Sequence, residues 1–178
     1  MFNKYCLILI VASLSSASVS AEQWTPNQWY IDGGIGSIKF DDGYDQVTPT
    51  NIYVRGGYFI NQNFNIGLES NVTTSPDQIA FAPGVDYSVN IGTLYFRVGA
   101  PVSDNVMMYA QIGSSNTELG AEYKGVKVTS SDRDTMLGAG AEIGFGAGSM
   151  YMAINYSQYN NNSGVKVTGL NLGIGTRF

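Results

Sequence analysis

A two-residue alternation of apolar and polar side chains recurs along this chain after residue 27, and no 3.6-residue apolar period lasts through a helix-length window. That pattern predicts an all-β fold. Eight alternating segments stand out, about 28–40, 50–59, 64–72, 87–100, 106–116, 132–145, 150–159 and 164–178. They exceed the ~5–6 residues of ordinary soluble strands and suit tilted membrane strands of ~9–11. Their connections alternate too. Segments 60–63, 101–105 and 146–149 are short, whereas 41–49, 73–86 and 117–131 are long and polar; 160–163, the fourth loop, is short. Tight turns at one end and larger loops at the other predict an eight-stranded antiparallel up-and-down transmembrane β-barrel.

Sorting each segment by parity separates two faces. One collects Ile31 and Ile35, Ile52 and Val54, Ile66 and Leu68, Leu94 and Phe96, and Leu170, Leu172 and Ile174, with no charge among them. The other is rich in Gly, Tyr and Asn and carries Asp32, Glu69 and Glu142 with Arg55, Arg97 and Arg177. A soluble, lipocalin-like barrel would turn the polar face to water, and that face would then need the Lys and Glu density of a solvated surface. A balanced, Gly-rich set instead fits a cramped interior where charges pair. Only 13% of residues are charged, against ~25% in soluble domains, so the uncharged face is expected to meet lipid. Trp29, Tyr58, Phe64, Phe145 and Tyr156, with Phe178, are the candidates for aromatic girdles.

Before the barrel, Lys4 is followed by the apolar run Tyr5 to Leu14 and small residues ending at Ala21, the plan of a secretory signal peptide over residues 1–21. Cleavage there leaves a barrel domain of residues 22–178 and removes Cys6, the single cysteine. With no His and no mature thiol, the commonest general base, nucleophile and metal ligands are missing, and neither enzyme, metal nor cofactor is expected. Asp41-Asp42-Gly43-Tyr44-Asp45 lacks a full EF-hand ligand set and reads as a solvated loop end. A formal net charge of −5 without a basic patch speaks against nucleic acid.

The ending Leu170-Asn171-Leu172-Gly173-Ile174-Gly175-Thr176-Arg177-Phe178 resembles the last strand of Gram-negative outer-membrane proteins, and Gly138-Ala139-Gly140-Ala141-Glu142 resembles the Gly-x-Gly-x-Glu strand of the small OmpA-like and OmpX-like barrels. The resemblance implies location in the cell outer membrane and Phe178 as a signal for the β-barrel assembly machinery. Thr176 stands where many members carry Tyr.

An eight-stranded barrel is filled by side chains, so a wide pore is not expected. Arg55 and Glu69 are expected to pair diagonally across the 60–63 turn, Asp32 and Arg177 to meet where first and last strands close, and Arg97 and Glu142 to share the lumen. Such a set is a packing network, or alternatively a narrow gate for ions or water. Function is then expected from the loops of a monomer bound to outer-membrane lipid, with a host or surface protein as partner. Ile79 and Phe81 form an apolar cluster in 73–86. Val126 and Val128 alternate with Lys127 and Thr129, so their hairpin can extend above the membrane as a sheet with an exposed edge.

Overall fold

A computed structural model of the chain describes residues 26–79, 82–145, 149–162 and 164–178. The expected signal peptide and Phe81 lie outside the described residues. Nine strands follow in order: β1 (Trp29–Asp41), β2 (Gln46–Val47), β3 (Thr50–Phe59), β4 (Phe64–Ser75), β5 (Val85–Ser103), β6 (Val106–Tyr123), β7 (Val126–Gly144), β8 (Met150–Asn162) and β9 (Val165–Arg177). Each long strand pairs antiparallel with its neighbour in sequence, and β1 pairs with β9 from Tyr30↔Arg177 to Asp41↔Lys166, closing an eight-stranded barrel. The two-residue β2 folds back on the end of β1 (Phe40↔Val47) and is no part of the ring.

Closure removes every free edge from the barrel wall, which is what lets a sheet stand in a medium that offers its backbone no hydrogen bonds. The last residue completes the seam: Phe178 N–H donates to Trp29 O at 2.9 Å and Trp29 N–H to Phe178 O at 2.8 Å.

The burial pattern inverts that of a water-soluble protein. Arg55 and Arg97 are fully buried, while Leu68 (64% exposed), Ile35 (62%) and Ile174 (56%) point outward. Toward the loop end the outward face turns polar at Ser37, Thr50, Ser70, Ser114, Thr135 and Gln158. In most strands about eight to ten residue steps separate that ring from the turn end, roughly 20–25 Å along the axis at the usual tilt, which matches a lipid-facing band of ~25 Å.

The sequence reading misplaced several strand ends. Pro101 lies inside β5 rather than in a turn; the ladder accommodates it at a register shift between Pro101 and Ser103, where a residue without an N–H is tolerated. Segment 73–86 is shortened from both sides by β4 and β5, and Asp77 bridges Tyr87. Segment 117–131, by contrast, is the continuous hairpin that the alternation at Val126 and Val128 allows. Lys124 (φ 48°) and Gly125 (φ 80°) are both left-handed, as a two-residue type I′ turn requires, so β6 and β7 stay paired to Tyr123↔Val126.

Candidate functional site

All six expected interior charges point into the barrel, and the register decides how they pair. Asp32, Arg55 and Glu69 stand side by side on β1, β3 and β4 (Asp32↔Arg55, Arg55↔Glu69). Arg55 takes Asp32 as its close partner, with Nη2 2.9 Å from Oδ1 and Nε donating to Oδ2 at 3.0 Å. Glu69 is directly opposite rather than diagonal, and its Oε2 is the looser contact at 3.7 Å from Arg55 Nη1. Glu69 Oε1 instead accepts from Tyr159 Oη at 2.6 Å and Asn71 Nδ2 at 2.9 Å.

The seam partner expected for Asp32 goes elsewhere. Arg177 lies across from Tyr30, two residues nearer the turn end than Asp32 (which faces Gly175), and its Nη2 reaches Glu142 Oε2. Arg97 Nη1 donates to the other oxygen, Glu142 Oε1, at 2.7 Å. One carboxylate therefore bridges two guanidiniums. Aromatic faces cover the cations: Arg97 lies 3.8 Å from the Tyr109 ring centroid and Arg177 4.5 Å from that of Tyr151, which offsets part of their lost hydration. Close approach here requires glycine. A Cβ on Gly175 would stand 2.5 Å from Asp32 Cβ and 2.6 Å from Tyr151 Oη.

Above this polar layer, toward the loops, the interior holds an apolar cluster among buried Asn51, Asn71, Ser115, Thr117 and Asn160. Ile38, Val89, Ile91, Met136, Tyr159 and Val167 form one buried cluster, with Phe40, Leu119 and Val165 packed against it. The sequence reading missed this plug, although the signal was present: Ile38 continues the inward parity of Tyr30, Asp32 and Gly34.

Near the turn end Trp29 packs on Tyr58 (centroids 5.0 Å apart) and Phe64 on Phe96 (5.6 Å), with Phe145 and Phe178 exposed at the same end. Tyr156 stands near the opposite edge of the apolar band, two residues before Gln158.

At the loop end β5, β6 and β7 rise out of the barrel as a three-stranded sheet, paired as far as Val85↔Tyr123 and Tyr123↔Val126. Beyond Ser114 this is on the order of 30 Å of strand at ~3.3 Å per residue. The sheet is amphipathic. Tyr123, Val126 and Val128 share the face that continues the lumen side, the two valines each 67% exposed, while Glu122 lies opposite Lys127 on the other face. Ile79, in the segment between β4 and β5, is half-buried.

The acidic turn after β1 spends its carboxylates on its own backbone. Asp42 Oδ1 accepts from Tyr44 N (2.9 Å) and Asp45 N (2.7 Å), and Asp41 Oδ1 from Gly43 N (3.0 Å). These amide bonds hold both carboxyls below the usual range, Asp41 being helped further by Lys39; desolvation and the Asp42 charge push Asp45 up. Among the described residues no group of three or more acidic, His or Cys side chains is placed to hold a metal ion.

Comparison with known proteins agrees with this architecture. Ail, the attachment invasion locus protein of Yersinia pestis, superposes with a TM-score of 0.67 at 17% identity, over 86% of this chain and 100% of that one. A second Ail structure holds the heparin analogue sucrose octasulfate. Neisserial surface protein A gives 0.69 at 13% identity (84% and 97%), and OprG from Pseudomonas aeruginosa 0.60 at 12% (88% and 98%). No curated protein sequence matches the chain. At these identities the solved structures show the fold alone. The model of the outer membrane protein beta-barrel domain matches residues 7–178, nearly the whole sequence, and the chain belongs to that family of outer-membrane barrels.

Proposed function

We propose that this barrel is a non-catalytic surface-interaction protein of the outer membrane, whose working element is the protruding β5–β6–β7 sheet and whose interior is a packed ionic and apolar core. The sheet is the observation that carries this reading. About 30 Å of paired strand beyond the apolar band serves no purpose in spanning lipid, and it exposes Tyr123, Val126 and Val128 on a rigid scaffold, where recognition residues are commonly placed. The attachment and invasion named for Ail belong to that protein, and its likeness here supports the class of role. The apolar plug from Ile38 to Val167 favours a filled interior over the gated-channel alternative. Export with cleavage after Ala21, recognition of the closing strand at Phe178 by the assembly machinery, aromatic girdles at Trp29, Tyr58, Phe64, Phe145 and Tyr156, and a monomeric state complete the proposal.

The test replaces residues 117–131 by an Asn-Gly turn and measures adhesion to host cells and survival in serum. Loss of either, with the barrel still shifting on a gel before boiling, is the expected result. A loopless protein that matches wild type in both assays removes the surface reading. Planar-bilayer current through wild type that is altered by Arg97→Ala would replace the packed-core reading with a channel.

A further inference from the structure

The barrel wall splits where β7 and β8 part. Their ladder climbs from Gly144↔Tyr151 to Leu137↔Gln158 and, among the described residues, ends there, while β7 continues with β6 to Val126 and β8 continues with β9 to Asn162. A register shift between Gln158 and Asn160 marks the departure. One extra residue bends β8, and Tyr159 and Asn160 are both buried. On the other flank β4 leaves β5 after Asn71↔Ile91, but a backbone bridge at Asp77↔Tyr87 still holds the sheet beyond it. Among the described residues the β7 flank above the split is tied to β8 only through side chains.

Three side chains span the gap. Continued past Leu137↔Gln158, the register sets Asp134 opposite Asn161, and Asp134 Oδ2 accepts the Asn161 N–H at 2.8 Å while Oδ1 accepts that of Thr135 at 2.7 Å. Asp132 repeats the arrangement one step higher, taking Asn160 Nδ2 on Oδ2 at 2.9 Å and the Arg133 N–H on Oδ1 at 2.8 Å. From β6 the buried Ser115 hydroxyl donates to Tyr159 O, with Asp134 O 3.4 Å away. Each carboxylate thus accepts one N–H from β7 and one from β8, the task that backbone carbonyls perform below the split. The row on which the two acids sit also holds Val126, Val128 and Met136. Like charges two residues apart on one row repel. Apolar neighbours do not account for them there, whereas their hydrogen bonds across the split do. Just behind the gap lie Met136, Tyr159 and Val167 of the apolar cluster.

We infer that Asp132, Asp134 and Ser115 form a latch that closes this split, fixes the angle between the protruding sheet and the β8–β9 hairpin, and keeps the apolar cluster at Met136 and Tyr159 covered. Hydrogen bonds to ionised acceptors are the stronger kind, which suits a junction without a ladder. Freed of the latch, the β7 flank pivots about the level of Leu137, where its last rung to β8 stands. The latch rests on the surface-interaction reading for its use, the aim of Tyr123, Val126 and Val128, and on the hydrogen bonds alone for its existence.

The test uses the full barrel, residues 22–178, in phospholipid nanodiscs. That span has no cysteine, so nitroxide labels on Lys127→Cys and Lys166→Cys report the distance from β7 to β9 by pulsed electron resonance. The parent barrel is expected to give one narrow distribution. Asp132→Ala with Asp134→Ala should at least double its width, while hydrogen exchange at the β6–β7 hairpin amides stays unchanged, which separates a pivot from unfolding. Asp132→Asn with Asp134→Asn, which keep one acceptor oxygen each, should fall between; if the alanine pair lacks the gel shift of a folded barrel, the asparagine pair carries the test. Glu118→Ala with Glu122→Ala removes the same charge from the other face and should leave the width as it was. An unchanged width in the folded latch variants overturns the inference, and so does equal broadening in the Glu118 and Glu122 control. Adhesion lost on deleting 117–131 with the width unchanged refutes the latch and spares the surface reading. A broadened distribution with adhesion indifferent to that deletion supports the latch and removes the surface reading.

Discussion

Replacing Glu142 by Gln strikes the point on which the interior ion pairs converge. The side chain is fully buried, with Arg97 Nη1 at 2.7 Å from one oxygen and Arg177 on the other. Gln keeps the shape but removes the negative charge, and it turns an N–H donor toward one of the guanidiniums. Breaking a buried pair by removing one partner costs about 3–5 kcal/mol, and this carboxylate serves two cations, so the upper half of that range is expected. A loss near 4 kcal/mol is about a thousandfold in the folded-to-unfolded ratio. Urea titration of protein folded into lipid vesicles, read by the gel shift of the unboiled barrel, measures it. Combining the change with Arg177→Gln removes one stranded cation and should recover more than about 1 kcal/mol relative to additivity. A single-variant loss below about 1 kcal/mol, or strict additivity, would refute the claim that Glu142 bridges the two arginines in a water-poor interior.

Three further outcomes follow from the geometry. Leu68→Arg, on an outward position 64% exposed, should cost about 2–4 kcal/mol in vesicles; an effect near zero would mean that this face does not meet the hydrocarbon. Gly175→Ala puts a methyl against Asp32 and Tyr151 and should destabilise by about 1–3 kcal/mol in the same titration, whereas stabilisation would show slack in the packing. In the 41–45 turn, Asp41 and Asp42 are depressed below the unfolded carboxylate range, so the support they lend is complete above that range and lost as pH falls through their folded values; Asp45 is raised and takes its proton first. Carboxyl carbon shifts followed by NMR between pH 7 and about 2 should show Asp45 titrating before the other two, with the Gly43 and Tyr44 amides moving only in the later step; simultaneous titration would contradict the turn geometry.

The barrel was legible because alternation is local. Residues two apart share a face whatever the rest of the chain does, so Arg55, Arg97 and Glu142 could be assigned to the interior from parity alone, and the same count carried on to Ile38 would have exposed the apolar plug. Strand ends were less legible. Segment 117–131 is polar in composition, yet the alternation at Val126 and Val128 marks its extension as a hairpin sheet, and the one apolar row such a hairpin needs comes from Tyr123, Val126 and Val128 around the Lys124-Gly125 turn.

Partnership inside the barrel was not local. That Asp32, Glu69 and Glu142 face three arginines follows from sequence; that Arg55 holds Asp32 depends on the register of β1 with β3, and that Glu142 holds both Arg97 and Arg177 depends on the stagger of β1 with β9 and on which strands face each other across the lumen, properties of the closed ring that no single strand encodes. The split between β7 and β8 arises in the same way. The chain determined that β7 would alternate, but only the assembled barrel decided that, among the described residues, its part above Leu137 pairs with β6 alone while β8 continues with β9, because pairing is settled by where whole strands lie in space.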